Sequence, residues 1–227
     1  MALYLVASIP LFFLFLRETI YAVQSNSSTT ALIKGLLSFI PVIVLDLILK
    51  GIVPLHLTAW GLTLYHLYSD LLLWTILGCG CFFLFRISRN NSSDDFLYLL
   101  PVFLCGVFMP VPVFDLIRNA KEPTIYSLFL MPYMRIAIIL SLAWFGDKFM
   151  SSGRSLAKIL VAAGFVLSLG ALTMGMYLYF YNLEAYGILC VFLVGLIVVM
   201  LYLSETRREH IWKIPLIYQL LSKIKDF

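Results

Sequence analysis

Residues 156–203 read LAKILVAAGFVLSLGALTMGMYLYFYNLEAYGILCVFLVGLIVVMLYL, and the only charged side chains among them are Lys158 and Glu184. The stretch divides into apolar runs at 156–181 and 183–203. Each reaches the roughly 20 residues with which a helix crosses about 30 Å of hydrocarbon. Only Tyr181-Asn182-Leu183-Glu184 lies between them, so the two helices form a tight hairpin. Helices apolar on every side are at home in an apolar solvent.

Further runs fall at about 2–23, 31–53, 57–85, 96–117 and 125–145. The expectation is an all-α integral membrane protein: a bundle of about seven transmembrane helices over residues 1–203, then a basic amphipathic tail at 204–227. Composition agrees. Of 227 residues, 62% are hydrophobic and 12% charged, and mean hydropathy is +0.99. Charged residues make up about a quarter of an ordinary soluble domain, so this chain has half the usual supply for a water-facing surface. The first run is the weakest, because Arg17 and Glu18 interrupt it. The third is near 29 residues and must tilt, bend or extend into water.

The distribution of Lys and Arg supplies an orientation. With the N-terminus outside, Arg17, Lys34, Arg86, Arg89, Lys148, Arg154, Lys158, Arg207, Arg208, Lys213, Lys223 and Lys225 all fall on the cytoplasmic side. Lys50, Arg118 and Lys121 fall outside, and Arg135 lies within a span. This bias satisfies the positive-inside rule for seven crossings with a cytoplasmic C-terminus. The cell (inner) membrane is the expected location. Asn26-Ser27-Ser28 and Asn90-Asn91-Ser92-Ser93 match the glycosylation acceptor pattern. The charge bias places both in cytoplasmic loops, where the match is chance.

After Pro215, apolar residues at Leu216, Ile217, Leu220, Leu221 and Ile224 share one helical face, with Lys223 and Lys225 off it. This pattern suits a short helix lying on an anionic leaflet, with a soluble partner for the same face as the second reading. The expected partners are the lipid bilayer and other membrane subunits. No basic stripe with interleaved aromatics points to nucleic acid.

Charged groups inside a bilayer are costly, and each asks for a reason. Asp70 lies mid-way along the third run, and His66 four residues earlier shares its helical face. Arg135 lies within the fifth run. Together Asp70, His66 and Arg135 are the candidate intramembrane polar site, able to exchange a proton or bind a cation. An ion pair between Asp70 and Arg135 that only fixes helix packing is the competing reading. Asp46 with Lys50, and Asp115 with Arg118, read as structural pairs nearer the span ends.

Pro110-Val111-Pro112 removes two amide donors from the fourth run, which should break or kink there. A broken helix in a bilayer must turn its freed carbonyls toward protein or a watery cavity. In the sixth run, Gly164 and Ser168 are four apart, as are Ala171 and Gly175, a spacing that lets helices approach closely within the bundle.

The absences narrow the field. Cys79, Cys81, Cys105 and Cys190 have no redox or zinc spacing. His56, His66 and His210 are too scattered for a histidine-rich metal centre, so no metal or cofactor is expected. No HExxH, GxSxG or Walker sequence occurs. The runs do not align as two similar halves, so no inverted-repeat transporter is indicated. Lys34 and Asp70 have a faint likeness to the lysoplasmalogenase-like membrane family. Ser69 stands where Gly would precede Asp70, and the sixth run has no aspartate, so membership does not follow. The leading expectation is a transport or channel component, alone or as a subunit of a larger membrane complex. An intramembrane lipid-modifying enzyme and a non-catalytic scaffold subunit are the alternatives.

Overall fold

The computed structural model describes residues 25–49, 58–87, 95–111 and 124–210. Every regular element among them is helical. They are α1 (Ser25–Leu49), α2 (Ala59–His66), a π-helical segment (Leu67–Leu72), α3 (Leu73–Ile87), α4 (Asp95–Phe108), a second π-helical segment (Tyr126–Leu130), α5 (Met131–Ser151), α6 (Ser155–Phe180) and α7 (Glu184–His210). α2, the first π segment and α3 run on without a break and make one long rod.

Four helices among the described residues are long and apolar enough to cross a membrane: Thr29–Leu49, Ala59–Phe85, Ser155–Phe180 and Glu184–Ser204. Seven crossings are the sequence expectation. The run at 2–23 and the tail at 211–227 lie outside the described residues. The fourth run is cut short: α4 ends at Phe108, and Met109 and Pro110 form a turn. Pro110 cannot donate to the helix, and a residue before proline is pushed away from helical geometry. At 14 residues, α4 falls short of the roughly 20 with which a helix crosses alone. The fifth run is divided between the second π segment and α5, and α7 continues past residue 203 through the charged stretch to His210.

α5 is the central helix, packed against α4, α6 and α7, and about half its residues are buried, Met134, Arg135, Ile138 and Ser141 among them. α1, α3 and α4 group on one side, with Trp74, Phe82, Phe103 and Phe108 in their shared core. α6 and α7 lie on the other side, where Leu172, Met176 and Val191 meet Met134 and Ile138 of α5. The rod joins the two sides, because α2 packs on α6 while α3 packs on α1 and α4. The outer faces of α1, α6 and α7 stay apolar and exposed, as at Ile48, Leu167 and Ile197. In water each such side chain forfeits about 25 cal/mol per Å² of apolar surface, whereas lipid removes that cost.

Two glycine contacts set the closest helix crossings. α1 meets α4 at Gly35 and Gly106, where a Cβ on Gly106 would lie 2.6 Å from the Leu32 carbonyl oxygen. α6 meets α7 at Gly175 and Gly187, where a Cβ on Gly187 would lie 2.6 Å from the Gly175 carbonyl oxygen. The small-residue spacing at Ala171 and Gly175 thus serves a crossing inside the bundle. Gly164 instead receives the edge of the Phe145 ring.

The expected hairpin is present. Asn182 takes φ 64°, and the Leu183 N–H donates to the Leu178 carbonyl at 3.0 Å. That six-to-one bond around a left-handed residue is the Schellman way of ending a helix, and Asn tolerates the conformation better than most residues.

Candidate functional site

The length of the third run is absorbed by its π segment. The Leu73 N–H bonds the Tyr68 carbonyl, five residues back, where an α-helix reaches back four. α2 is capped by Thr58, whose hydroxyl accepts from the Gly61 N–H at 3.1 Å. Inside the rod, Thr63 Oγ1 donates to the Ala59 carbonyl at 2.7 Å and Thr75 Oγ1 to the Leu71 carbonyl at 2.6 Å. Such back-bonding satisfies hydroxyls buried inside the bundle and slightly weakens the helix around them.

This irregular segment holds the one close acid–imidazole contact among the described residues. His66 closes α2, and Asp70 lies four residues on, within the π turn. His66 Nδ1 is 2.7 Å from Asp70 Oδ2. Ser69 Oγ donates to Asp70 Oδ1 at 2.9 Å, so both carboxylate oxygens have partners. The two side chains are 26% and 22% exposed. The His66 ring lies nearly parallel to Phe180, with centroids 5.1 Å apart, and Tyr126 approaches it at 5.0 Å. Tyr65 meets it edge-on. Elements distant in sequence therefore fix the imidazole plane: the rod, the second π segment and the end of α6.

The second π segment has a visible cause. The Met131 N–H bonds the Tyr126 carbonyl five residues back, and Pro132 follows at once. In an α-helix the Pro132 ring would press on the carbonyl four residues earlier, and a widened turn relieves that clash. Tyr126 is delivered to His66 from this turn.

Arg135 lies on α5 and is 4% exposed, with its guanidinium carbon 5.5 Å from the centre of the Phe108 ring. Phe108 is the last residue of α4. Helix carbonyls at a C-terminus carry partial negative charge, so a cation beside that end is favourable. Leu71, next to Asp70, shares a core cluster with Met134, next to Arg135. α5 touches the π segment that carries Asp70. The geometry thus joins His66 directly to Asp70 and places Arg135 on the neighbouring helix against the end of α4. Pro110 is in the turn that follows α4, and Pro112, Asp115 and Arg118 lie outside the described residues.

Asp46 is more deeply enclosed than its place near a span end suggests. Read from the sequence, it sits near a span end with Lys50; in the structure it is fully buried, on the α1 face that also carries Ser38 and Val42. Lys50 lies outside the described residues. Ser69, Tyr126 and Phe180 are site neighbours that sequence reading missed. Ser69 could have been found by its adjacency to Asp70, whereas Tyr126 and Phe180 carry no local signal. Among the described residues, no three His, Cys, Asp or Glu side chains come together as a metal site would need.

The arrangement can hold or pass one proton. A neutral imidazole donating Nδ1–H to a carboxylate and an imidazolium paired with it have the same heavy-atom contact and differ by one proton at Nε2. No family model, no curated protein and no solved structure matches the chain. Function is therefore argued from the site and not from analogy.

Proposed function

We propose that the chain is a component of a membrane transport or channel system, in which His66 and Asp70 carry a proton or bind a cation and Arg135 is the counter-charge on the adjacent helix. The observation that carries this reading is the 2.7 Å His66–Asp70 contact inside an apolar helix long enough to span a bilayer. An acid and an imidazole are costly at that depth and mark an ion or proton pathway more often than packing alone. The π turn adds support, since such turns cluster at functional positions in helices. The chain is inserted with about seven crossings in the cell membrane, N-terminus outside and C-terminus cytoplasmic, as the Lys and Arg bias favours. His66 and Asp70 then lie in the outer half, near the aromatic ends of α2 and α6.

The test is proton flux into vesicles that contain the purified full-length chain and a pH-sensitive dye. Wild-type vesicles should acidify under an imposed gradient faster than empty ones. Asp70→Asn should return the rate to that of empty vesicles while the helical circular dichroism is unchanged, and His66→Gln should lower it at least tenfold. Wild-type rates in Asp70→Asn vesicles would remove the site from the mechanism.

A further inference from the structure

The α5–α6 turn lies at the opposite end of the bundle from His66 and plays no part in the proposed transport. Residues 147–158 carry Lys148, Arg154 and Lys158 against a single acid, Asp147. Arg154 is exposed, and it immediately precedes the candidate span that begins at Ser155. Three large apolar side chains flank these cations and are also exposed: Phe149 at 42%, Met150 at 63% and Leu156 at 67%. Lys158 bends back toward Phe149, its Nζ 5.5 Å from the ring centre. The first turn of α6 has no acidic residue, and its N-cap makes no side-chain bond.

We propose that this turn binds the headgroup of an anionic phospholipid. The depth of the turn is set by the helices it joins. Leu156, Ile159 and Leu160 are exposed and need lipid tails, so Arg154, just before them, falls at the level of the lipid phosphates. Lys158 is one turn inside the span and reaches the same level by extending its stem along the apolar surface. Lys148 closes the set from the last turn of α5. Three cations at phosphate level, above a bare apolar step formed by Met150 and Leu156, match both halves of such a lipid. The phosphate takes the charge, and an acyl chain covers the step. A zwitterionic headgroup brings its own cation and gains less. A soluble phosphorylated partner would match the charge but leave the step exposed.

The experiment uses the full chain reconstituted into bilayers of equal parts phosphatidylcholine and phosphatidylglycerol, transferred to detergent, with retained lipid counted by native mass spectrometry. Wild type should keep phosphatidylglycerol in preference to phosphatidylcholine, and retention should fall as ionic strength rises. Replacing Lys148, Arg154 and Lys158 together by Gln should weaken retention by roughly fivefold per cation. The double substitution Lys148→Arg and Lys158→Arg should preserve it, which separates loss of charge from loss of fold. Equal retention of the two lipids, wild-type retention in the Gln variant, or indifference to salt would each overturn the proposal. Displacement by inorganic phosphate alone would also overturn it, by making the turn a free-anion site.

Discussion

The α1–α4 crossing and the surroundings of His66 are built on opposite principles. At the crossing, Gly35 and Gly106 bring two backbones together with no side chain between them. Around His66 the helices are held apart by rings, with Phe180, Tyr126 and Tyr65 filling the space, and the backbone itself is widened into two π turns. The first region has no tolerance for added volume at its backbone contact. The second tolerates polar atoms because its irregular backbone and part-exposed side chains offer them partners. Rigidity and chemistry are thus placed in different parts of one bundle, with the rod spanning both.

The sharpest way to break that contrast is to add volume at the crossing. Gly35→Leu should cost at least about 3 kcal/mol, the top of the usual overpacking range, because the obstacle is the Phe103 carbonyl and not a movable side chain. Unfolding by detergent titration of the purified chain would measure it. A cost under about 1 kcal/mol would show that α1 and α4 are free to separate, and the rigid half of the comparison would fail.

Much of this division was invisible in the sequence, for physical reasons. Four of the apolar runs, the 181–184 hairpin and the shared face of His66 and Asp70 follow from length, turn chemistry and spacing, and the described residues have each of these. A helix apolar on every side carries no amphipathic phase, so one extra residue per turn leaves no trace in the pattern, and the π segments could not be read. The burial of Asp46 depends on what packs against α1. Of the glycines, Gly175 stood out by its spacing from Ala171, but Gly35 and Gly106 are far apart in sequence and meet only in the fold.

On the other side of the comparison, Asp70→Asn should cost little stability, less than about 1.5 kcal/mol, since asparagine keeps the shape and retains an acceptor oxygen for one of the two partners of Asp70. The same detergent titration should find it far closer to wild type than Gly35→Leu. A loss as large as that of Gly35→Leu would mean that the pair holds the bundle together and that the separation of rigidity from chemistry is false. A smaller effect of the same kind is expected at Tyr133, whose hydroxyl donates to the Phe192 carbonyl at 2.9 Å and whose ring lies over Gly195. Tyr133→Phe keeps the ring and removes one bond, so it should lower stability by about 1 kcal/mol.

The smallest effect has the opposite sign. Gly80 and Gly170 have nothing within 4 Å of where a Cβ would be, unlike Gly35, Gly106, Gly175 and Gly187. Both are in helix interiors, where alanine is favoured over glycine by roughly 0.5–1 kcal/mol. Gly170→Ala should therefore leave the unfolding midpoint unchanged or raise it slightly, while Gly187→Ala, which meets the Gly175 carbonyl, should lower it. The two differ by the same methyl group on neighbouring helices, so the sign change isolates close approach from helix propensity. A loss at Gly170 would carry separate information. The outer face of α6 would then be covered by another helix and not by lipid, and one chain would not be the whole of the folded assembly.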